Sequence, residues 1–399
     1  MICTRRLAAA LTCALALGGF SYPLVATPLM AQEEKKEEAK KEEPKKEEAK
    51  KEEAKKEEPK KEEAKKEEPK KEESKKEEAK PAEEPKFKVV IKNLDNPSGI
   101  AIHPATGHIF TASRHGIHRW VPGEKVAKLE VKDFPTDIYG KGPKYNIGPL
   151  GVAFLDNDHL IVGDGSRPDA DELVRIYKIP AEKPAKPLGE GEAAFTLGPQ
   201  KAQEGVSEKG EGNFYGIAVG GGSIFVTSNG DDTKGWIYKV EVKEGKPGEF
   251  KPFIATKEKV MVDAPVPVTF TADGKELVVG QMGEVSVAND ALLCFYDPAT
   301  GDLKKSLKMN LSDPCGLAYS PKTGKLYVTD FSWTDASKGG LFRLDIEGEE
   351  VKATKITALD KPTALAFDKD GKLYVATFGT AKEGDTKPTG ELVVFEAGL

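Results

Sequence analysis

Residues 316–330 read Gly316-Leu-Ala-Tyr-Ser-Pro-Lys-Thr-Gly-Lys-Leu-Tyr-Val-Thr-Asp330. An apolar run opens on a small residue, a Ser-Pro-Lys-Thr-Gly turn interrupts it, and Leu326-Tyr-Val-Thr resumes it. Two such runs flanking a turn rich in proline and glycine read as a pair of antiparallel strands. Outward from this point the same unit recurs. Its first strand appears as Gly99-Ile-Ala-Ile, Gly151-Val-Ala-Phe, Gly216-Ile-Ala-Val, Val266-Pro-Val-Thr-Phe and Ala364-Leu-Ala-Phe. Its second appears as His108-Ile-Phe-Thr, His159-Leu-Ile-Val, Ser223-Ile-Phe-Val, Glu276-Leu-Val-Val and Lys372-Leu-Tyr-Val. A third follows, as in Gly340-Leu-Phe-Arg-Leu and Gly390-Glu-Leu-Val-Val-Phe.

Six copies at a period of 48 to 65 residues, built from short strands without a 3.6-residue apolar period, exclude helical solenoids and predict a six-bladed β-propeller. The small residue that opens each first strand is expected where six inner strands crowd an axis. The sixth unit runs out of chain after its third strand, whereas Phe87-Lys-Val-Val-Ile-Lys92 has no earlier unit to join. Pairing it with the strand around Glu391–Glu396 would close the ring and remove an exposed edge. Alternation puts Phe87, Val89 and Ile91 on one face and Lys88, Val90 and Lys92 on the other.

The Gly-Leu-Ala…Pro-x-x-Gly-Lys-Leu-Tyr-Val-Thr-Asp string resembles the six-bladed propellers of the TolB-like, NHL-repeat and senescence-marker/gluconolactonase superfamily, across residues 86–399. The resemblance implies that ligands bind on the face shared by the loops before each first strand and after each second strand. In its gluconolactonase-like members it implies a divalent cation, generally calcium, held by Glu, Asn and Asp. Two of those positions depart from the pattern here. Asn96-Pro-Ser98 stands where that family carries a glutamate, and Pro314-Cys-Gly316 stands where it carries Pro-Asp-Gly.

The rest of the chain bounds the setting. Met1–Arg6 is short and basic, Leu7–Leu17 is apolar, and small residues lead up to Ala31. Residues 1–31 are therefore read as a secretory signal, which places the protein outside the cytoplasm: secreted, periplasmic or at the cell surface. Residues 32–85 form a spacer, nine Lys-Lys-Glu-Glu-X units from Lys35 to Ala79 with X being Ala, Pro or Ser. With no apolar face to bury, this tail is expected to be disordered or part-helical, its Glu-to-Lys i,i+4 pairs interrupted at Pro44, Pro59 and Pro69. Without residues 33–80 and Arg5 and Arg6, the chain keeps 39 basic and 46 acidic side chains, a net charge of −7 over residues 81–399. That balance argues against nucleic acid, which is bound by clustered Lys and Arg. No apolar run after residue 31 is long enough to span a bilayer. Cys294 and Cys315 are either a disulfide or two buried thiols. The body is expected to be a monomer.

For the site, the polar residues at repeat-equivalent strand ends are the candidates: Asn146 and Asn213 before first strands, and Asp164, Arg167, Asn229, Gln281 and Asp330 after second strands. Trp333 is the candidate for stacking on a ligand, or else an anchor for its loop. Asp164, Asn229 and Asp330 are the oxygen ligands from which a rearranged calcium site would be built. There is no nucleophile elbow, Walker loop or Cys-x-x-Cys, and Gly220–Gly222 is a hairpin turn with no helix after it. Loops of about nine residues or more follow the second strands of blades four to six, and the connection 132–148 is also long. Long loops on a rigid scaffold tend to carry function. The primary expectation is an exported, non-enzymatic propeller binding a protein, peptide or glycan on its looped face. The alternative is a calcium-dependent lactonase-like hydrolase.

Overall fold

A computed structural model describes residues 85–140, 142–182, 186–231, 233–382 and 386–399. The signal and most of the charged spacer lie outside the described residues. The body is an all-β, six-bladed propeller. In each blade the three inner strands are antiparallel and are the three that recur in the sequence; in blade one Leu188–Gly189 adds a parallel outermost strand. Blade five, for example, runs Pro314–Tyr319, Leu326–Asp330, Gly340–Glu347 and Glu350–Thr357 in spatial order. The first strands touch in cyclic order, Ile100–Ile102 against Val152–Phe154 and onward to Pro362–Phe367, which returns to Ile100–Ile102. The ring is closed.

Crowding at the axis accounts for the small residues. A Cβ on Gly99 would meet the Leu150 carbonyl oxygen of the next blade at 2.2 Å, and one on Gly151 would meet that of Tyr215 at 2.2 Å. Between blades the sheets bury their alternating apolar side chains face to face, as Phe110 and Val131 of blade one do with Leu160 and Val162 of blade two.

Closure joins the two ends of the body. Phe87–Leu94 pairs antiparallel with Gly390–Phe395, in the register Phe87 to Phe395, Val89 to Val393 and Ile91 to Leu392. The strict alternation expected over 87–92 fails within that span, and a second register shift follows between Lys92 and Leu94. A bulge at Val90 resets the register, so Val89 packs on the side of Val393 and Phe395 while Ile91 packs on the other side with Leu392 and Val394. The strand therefore serves both flanking cores rather than one. Cys294 and Cys315 are both free and buried, in separate cores.

Candidate functional site

In five blades the residue preceding the small residue of the first strand faces the axis, and in blade four Val266, at the start of its strand, takes that place. In chain order these are Ser98, Leu150, Tyr215, Val266, Cys315 and Thr363, and all six line one axial cavity of about 70 Å³. Tyr215 blocks it. Its hydroxyl crosses the ring to donate to the carbonyls of Ser98 at 2.9 Å and Thr363 at 3.3 Å. Below this bar a second axial space of about 360 Å³ opens toward the opposite face, lined by the first strands themselves. The axis is thus a bowl on the looped side rather than a through-channel.

The bowl is aromatic. The first residues after the second strands of blades four, five and six are Met282, Phe331 and Phe378, all buried together with Ala264, Val266 and Cys315. The long connection 132–148 folds as a hairpin, Asp137–Tyr139 pairing with Tyr145–Ile147. It lays Tyr145 into this cluster, with ring centroids 5.1 Å from Trp333, 5.5 Å from Phe378 and 5.8 Å from Phe331. Tyr139 lies 5.9 Å from Trp333 on the outer side, and Asn229 donates through Nδ2 to its hydroxyl at 3.0 Å. The hairpin caps the axial cavity.

Outside the cap, between the hairpin and the loops of blades two to five, lies a larger cavity of about 660 Å³. Asn213, Asn229, Tyr139, Met282 and Trp333 line both spaces. Asp137, Asp169, Asp263, Glu284 and Lys257 contribute charge to the outer one. This size suits a small ligand or a few side chains of a larger one.

The residues singled out from the sequence divide into four groups. Asn213, Asn229 and Trp333 face the cavities. Trp333 is half-buried, both an anchor of its loop and a wall of the bowl. Gln281 and Asp330 build the walls. Gln281 donates through Nε2 to Thr256 Oγ1 at 2.6 Å and to the Val262 carbonyl at 2.8 Å, holding the segment before blade four. Asp330 accepts from the backbone N–H of Ser312, Asp313 and Ser332, and Asp313 in turn accepts from the N–H of Trp333 at 2.7 Å. Asp164 and Arg167 belong to a buried ionic network. The fully buried Asp164 carboxylate takes Arg167 at 2.5 Å and Arg175 at 3.2 Å, and both arginines also bind Glu190. Asn146 is exposed on the cap hairpin, where its carbonyl accepts from Asn96.

Asp164, Asn229 and Asp330 are therefore each engaged by different neighbours. Two guanidinium groups already neutralise Asp164 and three backbone donors occupy Asp330, while Asn229 donates its Nδ2 to Tyr139 and alone keeps an oxygen, Oδ1, without a hydrogen-bond partner. As arranged, this set does not present converging free oxygens to a hard cation. Among the described residues no group of three or more His, Cys, Asp or Glu is placed to hold a metal.

Beside the outer cavity sits the most perturbed carboxyl of this face. Glu172 is fully buried, accepts from the Asn213 N–H through Oε2, and leaves Oε1 without a hydrogen-bond partner. Burial, reinforced by Asp164, Asp169 and Asp137, pushes its carboxyl up to about 9. Burial also pushes Glu211, Asp313 and Glu130 up to about 7.

The fold and site define a six-bladed β-propeller with a capped, aromatic-floored bowl on its looped face. Similar solved structures include a putative oxidoreductase (glucose dehydrogenase) from Thermus thermophilus, at 17% identity with a TM-score of 0.53, covering 78% of this chain and 100% of that one. The soluble aldose sugar dehydrogenase from Escherichia coli matches at 14% identity and a TM-score of 0.50, over 78% and 99% of the two chains. A putative gluconolactonase matches at 12% and 0.50, over 79% and 93%. At such identities the likeness concerns the fold alone. No family model matches the chain, and no curated protein sequence does.

Proposed function

We propose that the protein is exported and that it binds a protein, peptide or glycan on its looped face as a receptor surface rather than as an enzyme. The observation that carries this reading is the 660 Å³ cavity, walled by the longest loops and floored by Trp333 and Tyr139 over a sealed axis. Aromatic faces beside amide and carboxylate groups supply stacking and directional hydrogen bonds, which is recognition chemistry. The polar side chains nearest the axis spend their hydrogen bonds on loop architecture, so the bowl is preorganised.

The competing reading, a calcium-dependent lactonase with a rearranged site, makes the opposite forecast in one experiment. Calcium is titrated calorimetrically into the full-length protein, with thermal unfolding followed in parallel and lactone hydrolysis assayed. The binding reading expects no saturable heat, no shift in melting temperature and no turnover. Saturable calcium binding abolished by Asp330→Asn, together with turnover lost in the same variant, would replace it with the hydrolase reading.

A further inference from the structure

Resting on the looped-face reading, the charge and apolar surface around the outer cavity narrow the class of its ligand. Among the described residues four carboxylates line it, Asp137, Asp169, Asp263 and Glu284, against the single ammonium of Lys257. Lys257 is itself bound to Asp263 at 3.0 Å. The cavity thus carries three negative charges in excess, and Asp169 and Glu284 are exposed to a ligand arriving from solvent. Low-dielectric walls concentrate that field over the opening.

The rim is also greasy where it meets water. Among the described residues six large apolar side chains are exposed, and three of them stand on the loops that wall this cavity: Met261 at 83%, Ile138 at 61% and Val287 at 48%. Ile138 lines the cavity directly. Met261 sits between the lining residues Lys257 and Asp263, and Val287 follows the lining residue Ser286. They come from three separate segments, the cap hairpin, the segment before blade four and the loop after its second strand. Exposed apolar residues gathered around a depression mark a surface that a partner covers. Inside that rim, Trp333 and Tyr139 line the cavity, and aromatic rings attract cations.

From this combination we infer that the looped face binds a peptide segment carrying Lys or Arg beside large apolar residues, a basic side chain entering the cavity while its neighbours cover Ile138, Met261 and Val287. A neutral glycan would use the rings but neither the charge excess nor the apolar rim. An acidic ligand would be repelled. The complementarity is with a cationic, amphipathic peptide.

The test uses full-length protein and fluorescein-labelled decapeptides, one alternating Lys and Leu and one alternating Glu and Leu, with neutral chitin- and cellulose-derived hexasaccharides as further probes. Fluorescence anisotropy and calorimetry should show the Lys-Leu peptide binding more tightly than the Glu-Leu peptide, and more weakly as salt is added. The exposed pair Asp169→Asn/Glu284→Gln should weaken that binding by at least about tenfold, and so should Ile138→Ser/Met261→Ser. Asp273→Asn, in a turn on the opposite face, should leave it unchanged. Equal binding of the two peptides, or a Lys-Leu affinity indifferent to both groove variants, overturns the inference. A hexasaccharide that binds and loses affinity with Trp333→Ala would overturn it while leaving the looped-face reading standing. If no probe responds to any of these substitutions, both fall.

Discussion

Removing residues 1–84 should leave the melting temperature nearly unchanged, whereas removing residues 1–94 should lower it by many degrees or cause aggregation. The shorter cut ends before the closing strand and takes away a segment with no apolar side chains beyond the signal and scattered alanines. The longer cut removes Phe87–Leu94, the outer strand of blade six. Ile91 and Leu94 are each only 5% exposed, Val89 and Val90 are half-buried, and Phe87 lies 5.4 Å from Phe395. Full burial of an aliphatic side chain contributes about 1.5–3 kcal/mol, so Ile91 and Leu94 alone approach half of a typical domain stability of about 5–15 kcal/mol. The cut also frees the edge of Gly390–Phe395, a template for intermolecular pairing. Thermal denaturation of the two truncations decides it: if both melt alike, the closing strand does not hold the ring.

Stability should also fall as pH rises, most tellingly between pH 7 and pH 9. Glu172 titrates near 4.5 in the unfolded chain, but burial holds it up to about 9 in the folded one. Between these values the folded protein keeps a proton that the unfolded chain has released, so each pH unit subtracts up to about 1.4 kcal/mol from stability. The loss is complete above pH 9, where both states are ionised. Glu130, Glu211 and Asp313, raised to about 7, act in the same direction but have finished by pH 7 to 8. The fall from pH 7 to 9 therefore belongs chiefly to Glu172 and should reach about 2–3 kcal/mol. Glu172→Gln, which keeps a carbonyl for the Asn213 N–H and cannot ionise, should flatten it. Chemical denaturation at pH 5, 7 and 9 checks this: parallel curves for wild type and variant would show that Glu172 is not held protonated.

Much of the fold was written in local signals. Turn residues, small residues opening each first strand and a missing outer strand in the last blade are consequences of packing around an axis, and each leaves a trace at fixed repeat positions. The bulge at Val90 left none, because two adjacent valines read the same whether the strand alternates or slips. The site was legible only in part. Asking which strand-end residues are polar picks out Asn213 and Asn229, which line the cavities, but also Asp164, a carboxylate neutralised by arginines brought from elsewhere in its blade and loop. It also misses the aromatic floor. Tyr215 and Cys315 each precede a first-strand glycine, and Met282, Phe331 and Phe378 each follow a second strand. The repeat alignment contained that ring of positions, but apolar residues at strand ends look like ordinary core until the axis brings them together. The capping role of Tyr145 depends on how the hairpin 137–147 folds back over the axis, a tertiary fact with no local signature.

If the looped face is where this propeller meets its ligand, a bound peptide must protect the backbone of that face. Amide hydrogen exchange of the full-length protein, with and without saturating Lys-Leu decapeptide, tests it most directly. Exchange should slow in the cap hairpin 137–147, in 256–264 and in the loops 282–291 and 331–339, with the turns at 104–107, 271–275, 321–324 and 368–371 unaffected. Protection confined to those opposite-face turns or to the outer strands would contradict it.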